Sequence, residues 1–311
     1  MRLAEDEEAD RAPEADNGDL AEGTAAGSED GVDEWVQIGG DTSLTMQDAD
    51  PIAAQYGATL VLIAGEQESG KTTLLVELYG RFLLGPFSGL RFAGSETLDA
   101  FDARHFEVRY DSGKLAATTS RTQEEDMRVL HLRLSDGVRQ RVLLPSDIRG
   151  EFFEHIVNGQ PVAQEVAVAS RADKTMVLVD GEQVADLSTR HLATRNARLL
   201  IGGLTDAGGL QSRRPMAIVL TKADKLAAEP LRWYHDHVHE LEDWARERGA
   251  DPVCSFDIAA RPEDDPGRPR NLDEMLMWMW ETSSRQTEKH SSGGQAGDRI
   301  FWDTDLVRNQ R

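Results

Sequence analysis

The segment Gly65–Thr72, GEQESGKT, carries the residue types that bind a chain of phosphates. It matches the pattern G-x-x-x-x-G-K-[ST], in which glycines let backbone N–H groups close around phosphate oxygens. In this pattern the Lys71 ammonium reaches the β- and γ-phosphates, and the Thr72 hydroxyl is a ligand for Mg²⁺. The sequence therefore predicts a phosphate-binding loop whose contacts come from Gly65, Glu68, Ser69, Gly70, Lys71, Thr72 and Thr73. The glutamates inside the loop are expected to point to solvent.

A second motif follows the apolar run Val142–Leu144 and reads Asp147-Ile-Arg-Gly150-Glu151. An aspartate at the end of such a strand can hold Mg²⁺, directly or through water, so Asp147 is predicted to share the metal with Thr72. The N–H of Gly150 is predicted to meet the γ-phosphate. An acidic surface turn is the alternative interpretation of these residues.

A third motif, Thr221-Lys222-Ala-Asp224, follows the apolar run Met216–Leu220. The Asp224 carboxylate can accept hydrogen bonds from both N1–H and the 2-amino group of guanine. Adenine lacks both donors, so the motif predicts selectivity for guanine. Lys222 is expected to lie along the base, and the N–H groups of Ala259 and Ala260 are expected to meet the guanine oxygen. The alternative is that Asp224 only caps a helix.

The elements around these motifs alternate between strand and helix. Thr59–Ala64 is a continuous apolar run, which is typical of a parallel strand buried on both faces. Further strands are predicted near Thr175–Val179, at Met216–Leu220 and at Val253–Ile258, and helices are predicted after them. Ser135-Asp-Gly137 joins two strand-like runs as a hairpin. The expected fold is a three-layer α/β P-loop NTPase with a mostly parallel sheet, one antiparallel edge strand and helices on both faces.

Length and charge limit the function further. The chain has 311 residues and a net charge of −22. Residues 1–34 hold 13 Asp and Glu against two Arg, so we expect a disordered acidic tail there, a nucleotide-binding domain over 35–281, and a linker with a short appendage over 282–311. The acidity argues against a nucleic-acid partner. No apolar run approaches 18 residues and the single cysteine excludes an internal disulfide, so we expect no membrane insertion and a cytoplasmic location.

In this order, the motifs resemble those of the Ras-like GTPase fold over about Thr59–Trp280. The run Phe92–Leu98 with Phe101 and Arg104, followed by Asp147–Glu151, more narrowly resembles the double-GTPase type of domain found in bacterial conflict and signalling systems. The resemblance implies a molecular switch that binds GTP or GDP with Mg²⁺, hydrolyses GTP, and has a protein effector or regulator as its partner.

Three positions leave the chemistry open. Glu151 stands where many Ras-like proteins have a glutamine; a carboxylate only accepts hydrogen bonds, so hydrolysis is expected to be slow unless Glu151 itself positions water. Arg149 is either an internal arginine finger or a surface residue of the loop. We favour Thr122 over Thr118 and Thr119 as the threonine that senses Mg²⁺ and the γ-phosphate. A GTP-binding scaffold that does not hydrolyse is the alternative function; a phosphotransferase would need an acceptor-activating base, for which the sequence offers no candidate.

Overall fold

A computed structural model describes residues 43–111, 128–159, 169–206 and 214–281 of the chain. The strands within these ranges are β1 (Leu44–Thr45), β2 (Thr59–Ala64), β3 (Arg91–Gly94), β4 (Arg128–Val129), β5 (Leu132–Ser135), β6 (Gln140–Asp147), β7 (Lys174–Asp180), β8 (Arg214–Thr221) and β9 (Ala250–Asp257). The helices within them are α1 (Met46–Tyr56), α2 (Lys71–Leu83), α3 (Leu98–Asp111), α4 (Gly150–Val157), α5 (Gly181–Ala185), α6 (Arg190–Leu204), α7 (Ala228–Glu247) and α8 (Leu272–Trp280).

The strands form one sheet with a parallel centre and an antiparallel edge. Its order is β1-β4-β6-β2-β7-β8-β9, and the pairs from β6 through β9 are parallel. β6 also pairs antiparallel with β5 along its first half and with β4 at its end. β3 and β1 extend this edge by pairing with β5 and β4. The carboxyl ends of the parallel strands therefore meet at one edge, where the three motifs begin.

Helices cover both faces of the sheet because the central strands are apolar on both sides. Side chains alternate along β2, so Val61 and Ile63 pack under α2, α3 and α8, whereas Leu62 and Ala64 pack under α4, α6 and α7. α1 packs beside the antiparallel edge, against Leu60 of β2 and Val142 of β6. The sheet is thus the middle layer of three.

The predicted fold class is confirmed, with one addition at the edge. The hairpin does place antiparallel strands beside β6, but the partner run is broken at Leu130-His131 into β4 and β5. Short strands β1 and β3 then add to these two segments, so the edge carries more than the single strand predicted. Among the described helices, none is both long and apolar enough to cross a bilayer.

Candidate nucleotide-binding site

The loop Gly65–Gly70 leaves β2 and leads directly into α2, as its motif predicts. The Lys71 ammonium lies over this loop and donates to the carbonyl oxygens of Gly65 at 2.9 Å and Glu66 at 2.6 Å. Ser69 is buried with its Oγ 3.4 Å from the same ammonium. Gly70, at φ +88°, is the residue before the first turn of α2. A single cation thus holds the loop in its curled form.

Burial changes the acidity of that cation. Removal from water lowers the pKa of Lys71 to about 8, against the opposing pull of the Glu151, Asp147 and Glu66 carboxylates. These three acidic groups therefore lie close enough to Lys71 for their charges to act on it. A phosphate chain on the loop would add negative charge beside the ammonium and favour its protonated form.

Gly150 brings the second motif against the phosphate loop. A Cβ atom on Gly150 would lie 2.2 Å from the Gln67 nitrogen and 2.4 Å from its Cα, distances that no side chain can occupy. Glycine is therefore required because two backbone segments touch here. The contact places the first turn of α4 against the phosphate loop, so that the second motif lies where the terminal phosphate would bind.

Asp147 ends β6 and is held by an arginine of α3. Arg104 Nε donates to Asp147 Oδ2 at 2.7 Å, and an Arg104 terminal nitrogen lies 2.5 Å from the same oxygen. Thr72 and Thr73 lie on the first turn of α2, at the same edge of the sheet. The Thr72 hydroxyl and the Asp147 carboxylate are hard oxygen donors of the kind that Mg²⁺ takes, and the arginine shows that Asp147 accepts a cation here. The residues present fit a magnesium site.

We call the groups from Gly65 to Thr72 with Asp147 and Gly150 the phosphate side, and Thr221–Lys225 with Ile258–Arg261 the base side. Thr221, at the end of β8, joins the two. Its buried hydroxyl lies 2.9 Å from the Ser69 carbonyl oxygen and 3.2 Å from that of Val179, within donor reach of both. The third motif is therefore attached to the phosphate loop through one side chain.

Lys222 turns at a left-handed backbone position and lines the base side. Its ammonium pairs with Asp180 Oδ2 at 3.0 Å and Glu182 Oε2 at 3.1 Å. Gly181 lies under this turn, since a Cβ there would come within 2.2 Å of the Thr221 carbonyl oxygen. The end of β7 thus fixes the position of Lys222 on the base side.

A cleft opens between these segments. The residues lining it come from the start of α2, the third motif and the loop after β9: Gly70, Thr73, Leu74, Thr221, Lys222, Asp224, Lys225, Ile258, Ala260 and Arg261. Asp224 accepts the Glu263 N–H at Oδ2 over 3.0 Å, which orients its carboxylate. Each carboxylate oxygen has two lone pairs, so capacity remains for two guanine donors.

The two alanines differ in their contacts. Ala260 lines the cleft, whereas the Ala259 N–H donates to the Arg270 carbonyl oxygen at 3.2 Å. Ala223 N–H donates to the Ile258 carbonyl oxygen at 3.0 Å, which fixes the loop after β9 against the third motif. The structure therefore brings Ala260 to the base side and gives the amide of Ala259 a protein partner.

The glutamates of the first two motifs behave differently from one another. Glu68 is exposed at a positive φ of 61°, and Glu151 is exposed on the first turn of α4. Glu66, expected in solvent, is half-buried, and its Oε1 accepts the Asn196 side-chain amide of α6 at 2.6 Å. Thr122, together with Thr118 and Thr119, lies outside the described residues.

Several residues that shape the site carry no motif of their own. Asp180 ends the buried strand β7 beside Thr221 of β8, and Gly181 follows it; their place after an apolar run is visible in the sequence. Asn196 lies 130 residues from Glu66, and local spacing could not have revealed that pair. Arg104 was noted only through the resemblance, not for its contact with Asp147.

Comparison with solved structures returns neighbours of low sequence identity. One is translation elongation factor SelB from Methanococcus maripaludis in complex with the GTP analogue GppNHp, at 13% identity and a TM-score of 0.39, covering 72% of this chain and 34% of that one. Another is a mutation variant of SsGBP, at 15% identity and a TM-score of 0.38, covering 79% and 61%. This chain thus spans less than two thirds of either protein. No curated protein matches.

The family comparison is more specific. A family model described as Double-GTPase 2 matches residues 59–280, which include all three motifs and the described elements from β2 to α8. The match agrees with the narrower resemblance found in the sequence. Because it covers well over half of the chain, this protein belongs to the Double-GTPase 2 family of P-loop GTP-binding proteins.

Proposed function

We propose that this chain is a Mg²⁺-dependent GTP switch, which binds GTP and GDP, hydrolyses GTP slowly, and acts through a protein effector or regulator in a bacterial signalling or conflict system. The observation that carries the proposal is the cleft. Its walls combine the start of α2, the guanine motif at Thr221–Asp224 and the loop at Ile258–Arg261. A nucleotide with its base at Asp224 would have its phosphates towards Gly70, where the cleft meets the loop that Lys71 follows.

Each group has a part in this function. Lys71 and the loop N–H groups would hold the phosphates, and Gly150 would bring its N–H to the terminal one. Thr72 and Asp147 would hold Mg²⁺, which when bound neutralises charge on the β- and γ-phosphate oxygens. The Asp224 carboxylate, oriented by Glu263, would accept two hydrogen bonds from guanine.

Asp224→Asn tests the base assignment. The amide replaces one acceptor with a donor, which opposes guanine but suits the carbonyl at C2 of xanthine. We expect GTP affinity to fall and xanthosine triphosphate affinity to rise, each by roughly 10- to 100-fold. Competition binding with GTP, ATP and xanthosine triphosphate measures both. A wild type that prefers ATP, or a variant that keeps its GTP preference, contradicts the proposal.

The second candidate function is a GTP-binding scaffold without hydrolysis. Glu151 favours it, because this exposed carboxylate cannot donate a hydrogen bond to phosphate as a glutamine can. Single-turnover phosphate release from wild type and Glu151→Gln separates the two. A wild type that releases no phosphate supports the scaffold, and a slower Glu151→Gln assigns water positioning to Glu151. Unchanged or faster release in Glu151→Gln removes that role.

A further inference from the structure

Arg104 forms a largely buried ion pair at the metal side of the site. Two of its nitrogens contact Asp147 Oδ2, and a third donates to the Ala100 carbonyl oxygen at 2.8 Å. The side chains of Arg104 and Asp147 are only 14% and 13% exposed. A pair so shielded and so well bonded is far less screened than an ion pair at the surface.

The oxygen that Arg104 holds belongs to the residue that the proposed function assigns to Mg²⁺. Magnesium requires near-octahedral geometry and keeps several waters, so it needs space around its carboxylate ligand. A guanidinium on Oδ2 occupies that space and carries a charge of the same sign. The two cations therefore oppose each other at Asp147.

We propose that Arg104 is a positioning residue that competes with Mg²⁺ for Asp147, so that loading of metal and nucleotide releases Arg104 and the part of α3 that follows it. This inference rests on the proposed function, since it concerns the same metal site. Arg104 neutralises the buried carboxylate when magnesium does not. Metal binding then has a conformational consequence that the motifs alone do not provide.

The anchoring of α3 shows which part of the helix would respond. Phe101 is 1% exposed, and its ring stacks on Tyr79 with centroids 4.5 Å apart. Ahead of it, the Thr97 hydroxyl accepts the His131 N–H at 2.9 Å, and the Thr97 carbonyl oxygen accepts the Phe101 N–H at 3.1 Å. These contacts hold the first turn of α3 without Asp147. Release of Arg104 should therefore act on residues 106–111.

The main test measures binding of a fluorescent GDP analogue as free Mg²⁺ is raised, which avoids any dependence on hydrolysis. In Arg104→Gln the competing charge is gone, so half-maximal binding should need about tenfold less Mg²⁺ than in wild type, within the usual range for coupled sites. Arg91→Gln is the control, because Arg91 is an exposed arginine on β3, and through β5 it lies beside the start of β6, whereas Asp147 ends that strand. Its midpoint should equal that of wild type.

A second measurement guards against a variant that does not fold, since Arg104→Gln leaves a buried carboxylate unpaired. Hydrogen exchange on the wild type with GDP should be faster at residues 106–111 with Mg²⁺ than with a chelator, while residues 98–101 stay unchanged. An Arg104→Gln midpoint equal to or above that of wild type overturns the competition. Hydrogen exchange at residues 106–111 that does not depend on Mg²⁺ overturns the release of α3.

The outcomes also separate this inference from the proposed function. Binding of the GDP analogue with an unchanged midpoint in Arg104→Gln overturns the role of Arg104 and leaves the GTP-binding site intact. A folded wild type that binds no guanine nucleotide at any Mg²⁺ concentration overturns the proposed function and this inference together.

Discussion

The base side and the phosphate side of the cleft differ in what their polar groups already contact. On the base side, Glu263 N–H orients Asp224 and the Ala223 N–H fixes the loop after β9, so the acceptors face the cleft in an organised frame. On the phosphate side, Lys71 donates to loop carbonyl oxygens and Asp147 is bound to Arg104. A nucleotide would meet base-side groups that are already oriented. On the phosphate side, Lys71 and Asp147 would have to exchange their protein partners for phosphate and metal.

This difference separates selectivity from switching. Little free energy is needed to order the base side when a nucleotide binds, because its groups are already oriented. Its hydrogen bonds can therefore discriminate between guanine and adenine. Each exchange on the phosphate side replaces a protein contact by a contact to phosphate or metal. Contacts that exist in one state and not the other are what a switch requires.

Removing the central cation of the phosphate side should have the largest effect. Lys71→Ala deletes the group that would face the β- and γ-phosphates, so we expect a loss of at least about 2–4 kcal/mol in GTP binding. Isothermal titration calorimetry measures it. Lys225→Ala is the comparison: it removes a cation from the base side, where Lys225 pairs at the surface with Glu182 and Glu263, and should lower GTP affinity less. Unchanged GTP affinity in a folded Lys71→Ala would remove the phosphate-loop assignment.

The next prediction breaks the link between the two sides. Thr221→Val keeps the shape of the side chain but removes the hydroxyl that reaches the Ser69 and Val179 carbonyl oxygens. A buried acceptor without its donor costs about 1–3 kcal/mol, so we expect a lower free energy of unfolding and about a tenfold loss of GTP affinity. Urea unfolding and nucleotide titration measure the two effects.

Thr221→Ser is the matched variant because it restores the hydroxyl while losing one methyl group. It should recover most of the GTP affinity. If Thr221→Val and Thr221→Ser bind GTP equally well, the hydroxyl does not organise the site and the two sides act independently.

The parts of this site that follow from local sequence were the ones predicted. The phosphate loop, Asp147 with Gly150, and Thr221–Asp224 each follow a strand whose apolar run is visible in the sequence, and the parallel order brings those strand ends together. Helix α8 likewise begins and ends where its apolar residues do. Motif and strand reinforce one another, so position along the chain was enough.

The missed parts depend on contacts across the chain. Helix α3 has almost no apolar periodicity, so its sequence does not distinguish it from a loop, and its place is set by Phe101 and Arg104. The pairs of Arg104 with Asp147 and of Asn196 with Glu66 join residues 43 and 130 positions apart. Polar pairs at such separations have no period or spacing that a single sequence reveals.

The pH dependence of GTP binding should depend on Lys71, the buried cation of the phosphate side. Its pKa of about 8 should rise when phosphate lies beside it, so binding above pH 8 takes up a proton. GTP affinity should fall about fivefold between pH 8 and pH 9, and this group should contribute no change below pH 7. Lys71→Arg is the control, because its guanidinium stays charged while the guanine base titrates equally in both proteins. A wild-type profile parallel to that of Lys71→Arg contradicts the lowered pKa.

The free energy of unfolding should rise above pH 8, where GTP affinity falls. A lysine whose folded pKa lies below its unfolded pKa makes the unfolded chain bind more protons, so the free energy of unfolding rises with pH from about 8 to 10.5. Lys174 begins the central strand β7, at the end of that strand away from the site. Its pKa is lowered in the same way, because it is buried against the carbonyl oxygens that end α8. Lys174→Met should flatten the stability profile and leave the pH dependence of GTP binding unchanged.

The smallest expected effect concerns the glutamate inside the phosphate loop. The Asn196 amide holds the Glu66 carboxylate at 2.6 Å, which keeps a negative charge turned towards α6. Asn196→Ala removes that restraint, so the carboxylate can turn towards the phosphates and repel them. We expect GTP affinity to fall about threefold, which corresponds to the free energy of one partly exposed hydrogen bond. Titration of a fluorescent GTP analogue resolves a change of this size.

The paired substitution decides whether Glu66 is the cause. With Glu66→Gln in the same chain, the side chain is neutral, so removing Asn196 should no longer affect binding and the double variant should match Glu66→Gln alone. If Asn196→Ala lowers affinity equally with Glu66 or Gln at position 66, the loss comes from packing of α6 against the loop, and the carboxylate has no electrostatic effect on the phosphates. If Asn196→Ala changes nothing, the phosphate side tolerates a free acidic group at its entrance, and Lys71 alone determines its charge preference.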